Sequence, residues 1–248
     1  MPVHNYNTPV NFCDLTFESA AENLACDEAL LDLCEGGLAG EILRVWEPPN
    51  YFVVLGYGNK AASEVNLAYC RQNTIAVHRR CSGGGTVLQG PGSLNYSLIL
   101  RIDQSGPCRT ISGANEFVMQ THQTALAALL KAPVEVAGCT DLVVGGLKFS
   151  GNAQRRKKDF LLFHGSFLLH FDVGLMERAL PVPASQPAYR FGRSHSDFLM
   201  NLKIGPEILR RTLRKVWDAS ALLSTIPFDS ITRLVQDKYN REEWNMRF

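Results

Sequence analysis

With 248 residues, 46% of them hydrophobic and 20% charged, the chain has the composition of a soluble globular protein at the upper end of a single domain. A formal net charge of +1 excludes bulk attraction to nucleic acid or membrane, so any charge-driven function has to be local. No apolar run approaches the ~20 residues of a membrane span, and MPVHNYNTPVNFCDL lacks the basic stretch and apolar core of a leader, so a cytoplasmic protein is expected.

In chain order, SAAENLACDEALLDLCE (19–35) predicts an amphipathic helix. Ser19 and Glu22 stand at capping-box spacing, Leu24, Leu30, Leu31 and Cys34 recur at helical period, and Gly36-Gly37 stops it. ILRVWE (42–47) and YFVVLG (51–56), parted by Pro48-Pro49-Asn50, predict two strands. A short helix is expected over 60–72 and a buried strand over 74–79. Two more strands follow near 85–89 and 94–102, then a long Ala/Leu-rich helix over 111–132. Strands are expected near 141–145, 147–151 and 160–171, a Pro/Gly-scattered loop over 181–198, and a mainly helical segment over 205–248. Helices spread among many strands predict an α+β (mixed α/β) domain, 1–248, on mostly antiparallel sheet.

Seven cysteines, an odd number with no CxxC pair, argue against a disulfide framework and against a zinc cluster; no metal site is expected. Most should be small buried hydrophobes.

Chemistry concentrates in two stretches. In RRCSGGGTVLQGPGSLNYSLIL (79–100), Gly83, Gly84 and Gly85 interrupt strands, which costs backbone entropy and asks for a reason. They make either a plain tight turn or a turn whose N–H groups and missing side chains admit an anion. Strand alternation sends Arg79 and Arg80 to opposite faces, so one should point toward whatever the glycines cradle. The pattern is neither a Walker loop nor a dinucleotide fingerprint, because the glycines lead into a strand. In GCTDLVVGGLKFSGNAQRRKKDFLLFHGSFLLHFD (138–172), Asp141 opens an apolar strand, Gly145-Gly146 turn it, and Lys148 stands alone on the next strand. A strand lysine snorkels or reaches into a cleft. Arg155, Arg156, Lys157 and Lys158 are a solvated loop tip or a dock for an acidic partner. His164 reads more readily as structural.

Taken in order, RR-x-SGGG, then D-L, then K-F-S-G-N-A, then H-G-S-F-L-L, the motifs resemble the lipoate–protein ligase / octanoyltransferase family, kin to the biotin-ligase catalytic domain. NLACDEALL and RVWEPPNYFVVLGYGN fit as well, so the resemblance covers nearly the whole chain. It implies a mixed sheet packed against helices, with Ser82 to Gly85 walling an acyl tunnel. It implies that Arg79 or Arg80 meets a nucleotide phosphate, Lys148 the acyl–phosphate junction, and Asp141 lies nearby. Thr86, Gly151, Asn152, Ala153 and His164 are expected around the substrates. The implied activity is ATP- and Mg²⁺-dependent activation of lipoate or octanoate and transfer to a lipoyl-domain or H-like acceptor, with Arg155 to Lys158 as dock. A monomer is expected, with a separate accessory ligase subunit as a further partner.

The sequence departs from the family in two places. Longer relatives carry a further C-terminal domain of roughly a hundred residues, and Gln89-Gly90 stand where many ligases have His-Asp, the following GPG resembling the octanoyltransferase branch. One alternative is therefore acyl transfer or amidotransfer without ATP through a cysteine thioester, for which Cys139 is the candidate nucleophile. Another, of a different class, is a non-catalytic module that binds lipoylated proteins.

Overall fold

The computed structural model describes residues 9–248, so the first eight residues of MPVHNYNTPVNFCDL, on which the expectation about a leader falls, lie outside the described residues. Its strands are β1 (Asn11–Cys13), β2 (Ile42–Trp46), β3 (Phe52–Leu55), β4 (Ala76–Arg79), β5 (Val87–Gln89), β6 (Ser93–Arg101), β7 (Glu135–Ala137), β8 (Asp141–Val144), β9 (Leu147–Arg156) and β10 (Phe160–Leu168). They form a seven-stranded sheet of order β1-β2-β6-β10-β9-β8-β7 and a three-stranded sheet of order β4-β3-β5. Pairing is antiparallel except β1 with β2 and β3 with β4. The helices are α1 (Ala20–Glu35), α2 (Ala61–Glu64), α3 (Leu67–Gln72), α4 (Ile111–Leu130), α5 (Val173–Ala179), α6 (His195–Phe198), α7 (Pro206–Val216), α8 (Phe228–Leu234) and α9 (Glu242–Asn245). The architecture is the mixed α/β, mostly antiparallel one expected.

Alternation along the central strands sets the layers. Leu94, Tyr96, Leu98 and Leu100 of β6 join Leu161, Phe163 and Phe167 of β10 in a core with Val118 and Leu126 of α4 and Leu209 and Leu213 of α7. On the opposite face, Ile42, Ile99 and Leu162 pack against Leu24, Leu30 and Leu31 of α1 and Ile231 of α8. Each such side chain, fully buried, contributes about 1.5–3 kcal/mol. Ser19 caps α1 by accepting from the Glu22 N–H. Ser97 and Asn95 interrupt this second apolar face, and the functional cavity opens there.

Several elements differ from expectation. The helix expected over 60–72 breaks at Val65-Asn66, because the Asn66 side chain caps a new helix by accepting from the Tyr69 N–H. The strand around 74–79 is an edge of the small sheet with Ala76 exposed and Val77 and His78 half-buried, not a buried strand. β9 runs on to Arg156, so half of the four-cation run is strand. β1 and β7 are three residues each, too short to carry a period. The segment expected as a loop holds α6 and a 3₁₀ turn, Ala188–Arg190. The last helix divides into α8, a π turn (Val235–Tyr239) and α9. Among the described residues no helix is long and apolar enough to cross a membrane.

Candidate active site

A cavity of about 450 Å³ lies between the large sheet, β5 with the turn before it, and residues 180–198. The β8–β9 hairpin supplies its charged pair. Gly145 and Gly146 both take positive φ, +57° and +76°, between the register partners Val144 and Leu147. That is the two-residue turn whose twist matches antiparallel strands, and glycine adopts it without a Cβ penalty. The tight turn returns Lys148 beside Asp141, with Nζ 2.8 Å from Oδ1. The second carboxylate oxygen accepts from the Tyr189 hydroxyl at 2.7 Å, and burial with that carboxylate pushes the phenol upward in pKa. Gly151 leaves room for the ammonium: a Cβ there would stand 2.8 Å from Nζ and 2.9 Å from Cε.

The glycine turn and its arginines separate into two jobs. Arg79, fully buried, turns away from the cavity; its guanidinium donates to the carbonyls of Gly56, Tyr57, Asn59, Trp244 and Asn245. It ties α9 to the small sheet, so the expectation that Arg79 meets a phosphate is corrected. Arg80 lines the cavity. Its Nη2 donates to the carbonyls of Gly83 and Gly85 at 2.6 and 2.9 Å, and its Nε to Ser82 Oγ at 3.0 Å. Burial lowers this guanidinium to about 10, still cationic at neutral pH. The turn thus wraps an arginine, with only Gly84 at positive φ (+88°). Gly85 and Thr86 line the cavity. Thr86 donates to Glu64, which also accepts from Asn59.

His164 and Ala153 lie on the cavity floor. His164 Nε2 is 2.6 Å from Ser82 Oγ, and burial together with Arg80 holds the imidazole down to about 3, so it is neutral. Behind it Asp27 of α1 pairs with Arg44 of β2 at 2.6 Å, both buried. Asn152 lines the cavity as well, with its carboxamide engaged by protein groups: its Oδ1 accepts from Tyr96 OH at 2.6 Å and its Nδ2 donates to Thr140 O at 2.5 Å. The carboxamide fastens the residue preceding Asp141 and leaves little for a substrate.

The cavity's cover comes from the stretch expected to be a loop. Lys148 O accepts from Met200 N at 2.9 Å, and Arg193 donates to Gly146 O at 3.2 Å, pinning residues 188–200 to the hairpin. This brings Tyr189, Arg190 and His195 to the site. Arg190 is 4% exposed, and its Nη2 has no partner among the described residues. The only advance signal was aromatic and arginine residues clustered inside a Pro/Gly stretch. Of the expected dock, Arg156 donates to Cys108 O and Arg109 O, and Lys157 pairs with Asp32; Arg155 and Lys158 are exposed. Cys139 is exposed and lines the cavity, while the other six cysteines are buried. Burial pushes Cys13 up to about 11 and Cys26, Cys34, Cys81 and Cys108 up to about 12.

Residues 19–211 match the family model described as the lipoyl protein ligase A/B catalytic domain. The chain belongs to that family. It is 27% identical over 240 residues to lipoate-protein ligase A subunit 1 of Thermoplasma acidophilum, covering 90% of this chain and 91% of that one. It is also 27% identical over 267 residues to octanoyltransferase LipM of Brevibacillus brevis, covering 92% and 95%. Its fold is similar to a crystal structure of lipoate-protein ligase A bound with ATP, with a TM-score of 0.81 and 24% identity, covering 96% of this chain and 99% of that one. The protein is thus an enzyme of a family whose curated members include both ligases and octanoyltransferases.

Proposed function

We propose that this family member is an ATP-dependent ligase, which activates lipoate or octanoate as an acyl-adenylate and transfers the acyl group to a lysine of a lipoyl-domain or H-like acceptor. The observation that carries the reading is the convergence of Arg80, Lys148 and Arg190 on one cavity, the last with a buried, unpartnered guanidinium nitrogen. Carboxylate and triphosphate repel one another, and fixed cations both assemble them and stabilise the charge that develops. A relative that is a ligase subunit and a neighbour solved with ATP support the same reading.

In the first step a carboxylate oxygen of the acid bonds to the α-phosphorus, and the bond from that phosphorus to the pyrophosphate oxygen breaks. Lys148 donates to the acyl carbonyl and the adjoining phosphate oxygen, Asp141 fixes where the ammonium lies, and Arg80 and Arg190 face phosphate oxygens. In the second step the neutral amine of the acceptor lysine bonds to the acyl carbon, the bond to AMP breaks, and the amine releases its proton. Magnesium is part of the nucleotide substrate, with Glu64 and Asp141 the carboxylates that face the cavity. Among the described residues no cluster of three His, Cys, Asp or Glu side chains offers a resident metal site. Gly85, Thr86, Gly151 and Ala153 let the substrates lie close to backbone, and Arg155 and Lys158 are the exposed cations offered to an acidic acceptor. One copy of this chain works with a separate accessory subunit, as the name of the Thermoplasma relative, a ligase subunit, suggests.

The test is lipoate-dependent exchange of ATP with pyrophosphate. Wild type and Cys139→Ser should exchange, and Lys148→Ala should not. A second reading, thioester transfer through Cys139, is favoured by that thiol's exposure in the same cavity as Lys148. Exchange absent from wild type, with octanoyl transfer from acyl carrier protein lost in Cys139→Ser, would replace the first reading by the second.

A further inference from the structure

Six of the seven cysteines are buried, and the seventh, Cys139, is exposed on the wall of the cavity. It stands in the turn between β7 and β8, where Ala137 pairs with Asp141 and three residues close the hairpin. Gly138 takes positive φ, +57°, to make that turn. A Cβ on Gly138 would lie 3.4 Å from the Pro187 Cβ and 3.5 Å from a Tyr189 ring carbon, so the turn rests against the cover. The next residue of the cover is Arg190, which lines the same cavity. The thiol is thus held between the strand that carries Asp141 and the segment that carries Arg190.

An exposed thiol alone says nothing of a ligand; the charge around it does. Arg80, Lys148 and Arg190 all line the cavity, in a chain whose formal net charge is only +1. Two of them are answered from within: the glycine turn accepts from Arg80, and Asp141 pairs with Lys148. Arg190 is not. It is 4% exposed, and its Nη2 has no partner among the described residues. A buried guanidinium nitrogen left so is a donor for an anionic oxygen, and its planar fork suits a carboxylate.

Going beyond the ligase reading and independent of it, we propose that Cys139 is a thiolation site for small disulfides that carry carboxylates, and that the adduct closes the cavity. The Cys139 thiolate attacks one sulfur of the disulfide. A new S–S bond forms, the old one breaks, and the other half leaves as a thiolate that takes up the proton Cys139 gave up. The disulfide is itself the oxidant, and exchange with a free thiol reverses the step. In a tripeptide disulfide the carboxylates lie within two residue lengths, about 7 Å, of the sulfur. That reach suits Arg190, on the segment against which the Cys139 turn rests. Three residues tethered to the wall of a cavity of about 450 Å³ obstruct nucleotide and acid alike.

The test follows adduct formation on the full chain by intact mass and peptide mapping. The reagents are glutathione disulfide, which is anionic, bis(2-hydroxyethyl) disulfide, which is neutral, and cystamine, which is cationic. Each rate is divided by that with free N-acetylcysteine to remove intrinsic reactivity. Wild type should take up one glutathionyl group, on the peptide that carries Cys139, with the anionic reagent favoured at least fivefold over the neutral one and more over the cationic one. Arg190→Gln should bring that preference to about one. If the variant does not fold, salt at about 1 M, where screening acts beyond roughly 3 Å, should lower the preference in wild type. Whichever activity the unmodified protein shows, pyrophosphate exchange or octanoyl transfer, should be lost in the adduct and return with dithiothreitol. Equal normalised rates for the three reagents, an adduct spread over several cysteines, or a complete adduct that stays active would overturn the proposal. The two ideas fail separately. Charge-selective thiolation of a protein without exchange removes the ligase and keeps the site, whereas full exchange by the complete adduct removes the site's role and keeps the ligase.

Discussion

Replacing Gly151 by alanine places a methyl group against the tip of Lys148 and against little else. The added Cβ would lie 2.8 Å from Nζ, 2.9 Å from Cε and 3.6 Å from Asp141 Oδ1. Carbon contacts settle at about 3.5–4.0 Å, so the ammonium has to move by roughly 1 Å. Gly151 is not among the residues at positive φ, and alanine in a strand costs less backbone entropy than glycine, so the fold should lose nothing. A displacement of that size at a reacting centre costs about 100-fold in rate, equivalent to about 2.7 kcal/mol of transition-state stabilisation. The assay is lipoate-dependent pyrophosphate exchange beside a thermal melt. We expect kcat/KM to fall between tenfold and a hundredfold, with Tm unchanged or slightly raised. Wild-type exchange by Gly151→Ala would refute the assignment of Lys148 to the reaction, because its side chain cannot stay where it is.

Arg79→Met should act on stability instead, since the buried guanidinium bonds carbonyls after β3 and in α9, segments far apart in the chain. A loss of about 2–4 kcal/mol in urea unfolding is expected, with the activity per folded molecule retained; a stable but inactive variant would return Arg79 to the chemistry. Tyr189→Phe removes the 2.7 Å bond to Asp141 and should lower kcat about five- to tenfold, close to 1 kcal/mol, with no effect of that size on Tm. Burial holds His122 and His164 at about 3, below the ordinary 6.5, so on acidification the unfolded chain takes up protons first. Stability is then fully present above about pH 6.5 and falls toward pH 3 by about 1.4 kcal/mol per pH unit for each imidazole. Unfolding free energies at pH 7 and pH 5 that agree would contradict the burial of both.

What could be read in advance follows the range of each interaction. Lys148 and Asp141 are legible in part: a two-glycine turn brings their strands together within eight residues of chain, whereas the register shift between Leu142 and Val143, which sets how the two side chains meet, leaves no mark in the sequence. Arg79 and Arg80 are half-legible: alternation says that they face opposite ways, but not which way is inward. That depends on Asn245, brought from the far end of the chain to accept from the Arg79 guanidinium and backbone. Asp27 and Arg44 form a buried pair between α1 and β2, and nothing in the sequence says that Asp27, rather than the adjacent Glu28, turns inward to meet that guanidinium. Arg190 and Tyr189 lie in a stretch with no period, so nothing local says that Arg193 will pin it over the hairpin.

The two ends of the cavity explain why three glycines stand beside two arginines in a chain of nearly neutral charge. A cation lining a low-dielectric cavity stays in place only if its remaining donors are satisfied. The Ser82–Gly85 turn does this for Arg80 by presenting two of its carbonyls and one hydroxyl to the guanidinium. Side chains on the turn could be accommodated at Gly83 and Gly85, where an added Cβ meets nothing within 4 Å, but not at Gly84, where it would stand 2.9 Å from Arg80 Nη2. The glycine that matters is therefore the middle one, and its task is to hold an arginine at the charged end of the cavity. Elsewhere in the cavity Asn95 and Gln89 keep buried polar atoms that have no hydrogen-bond partner among the described residues.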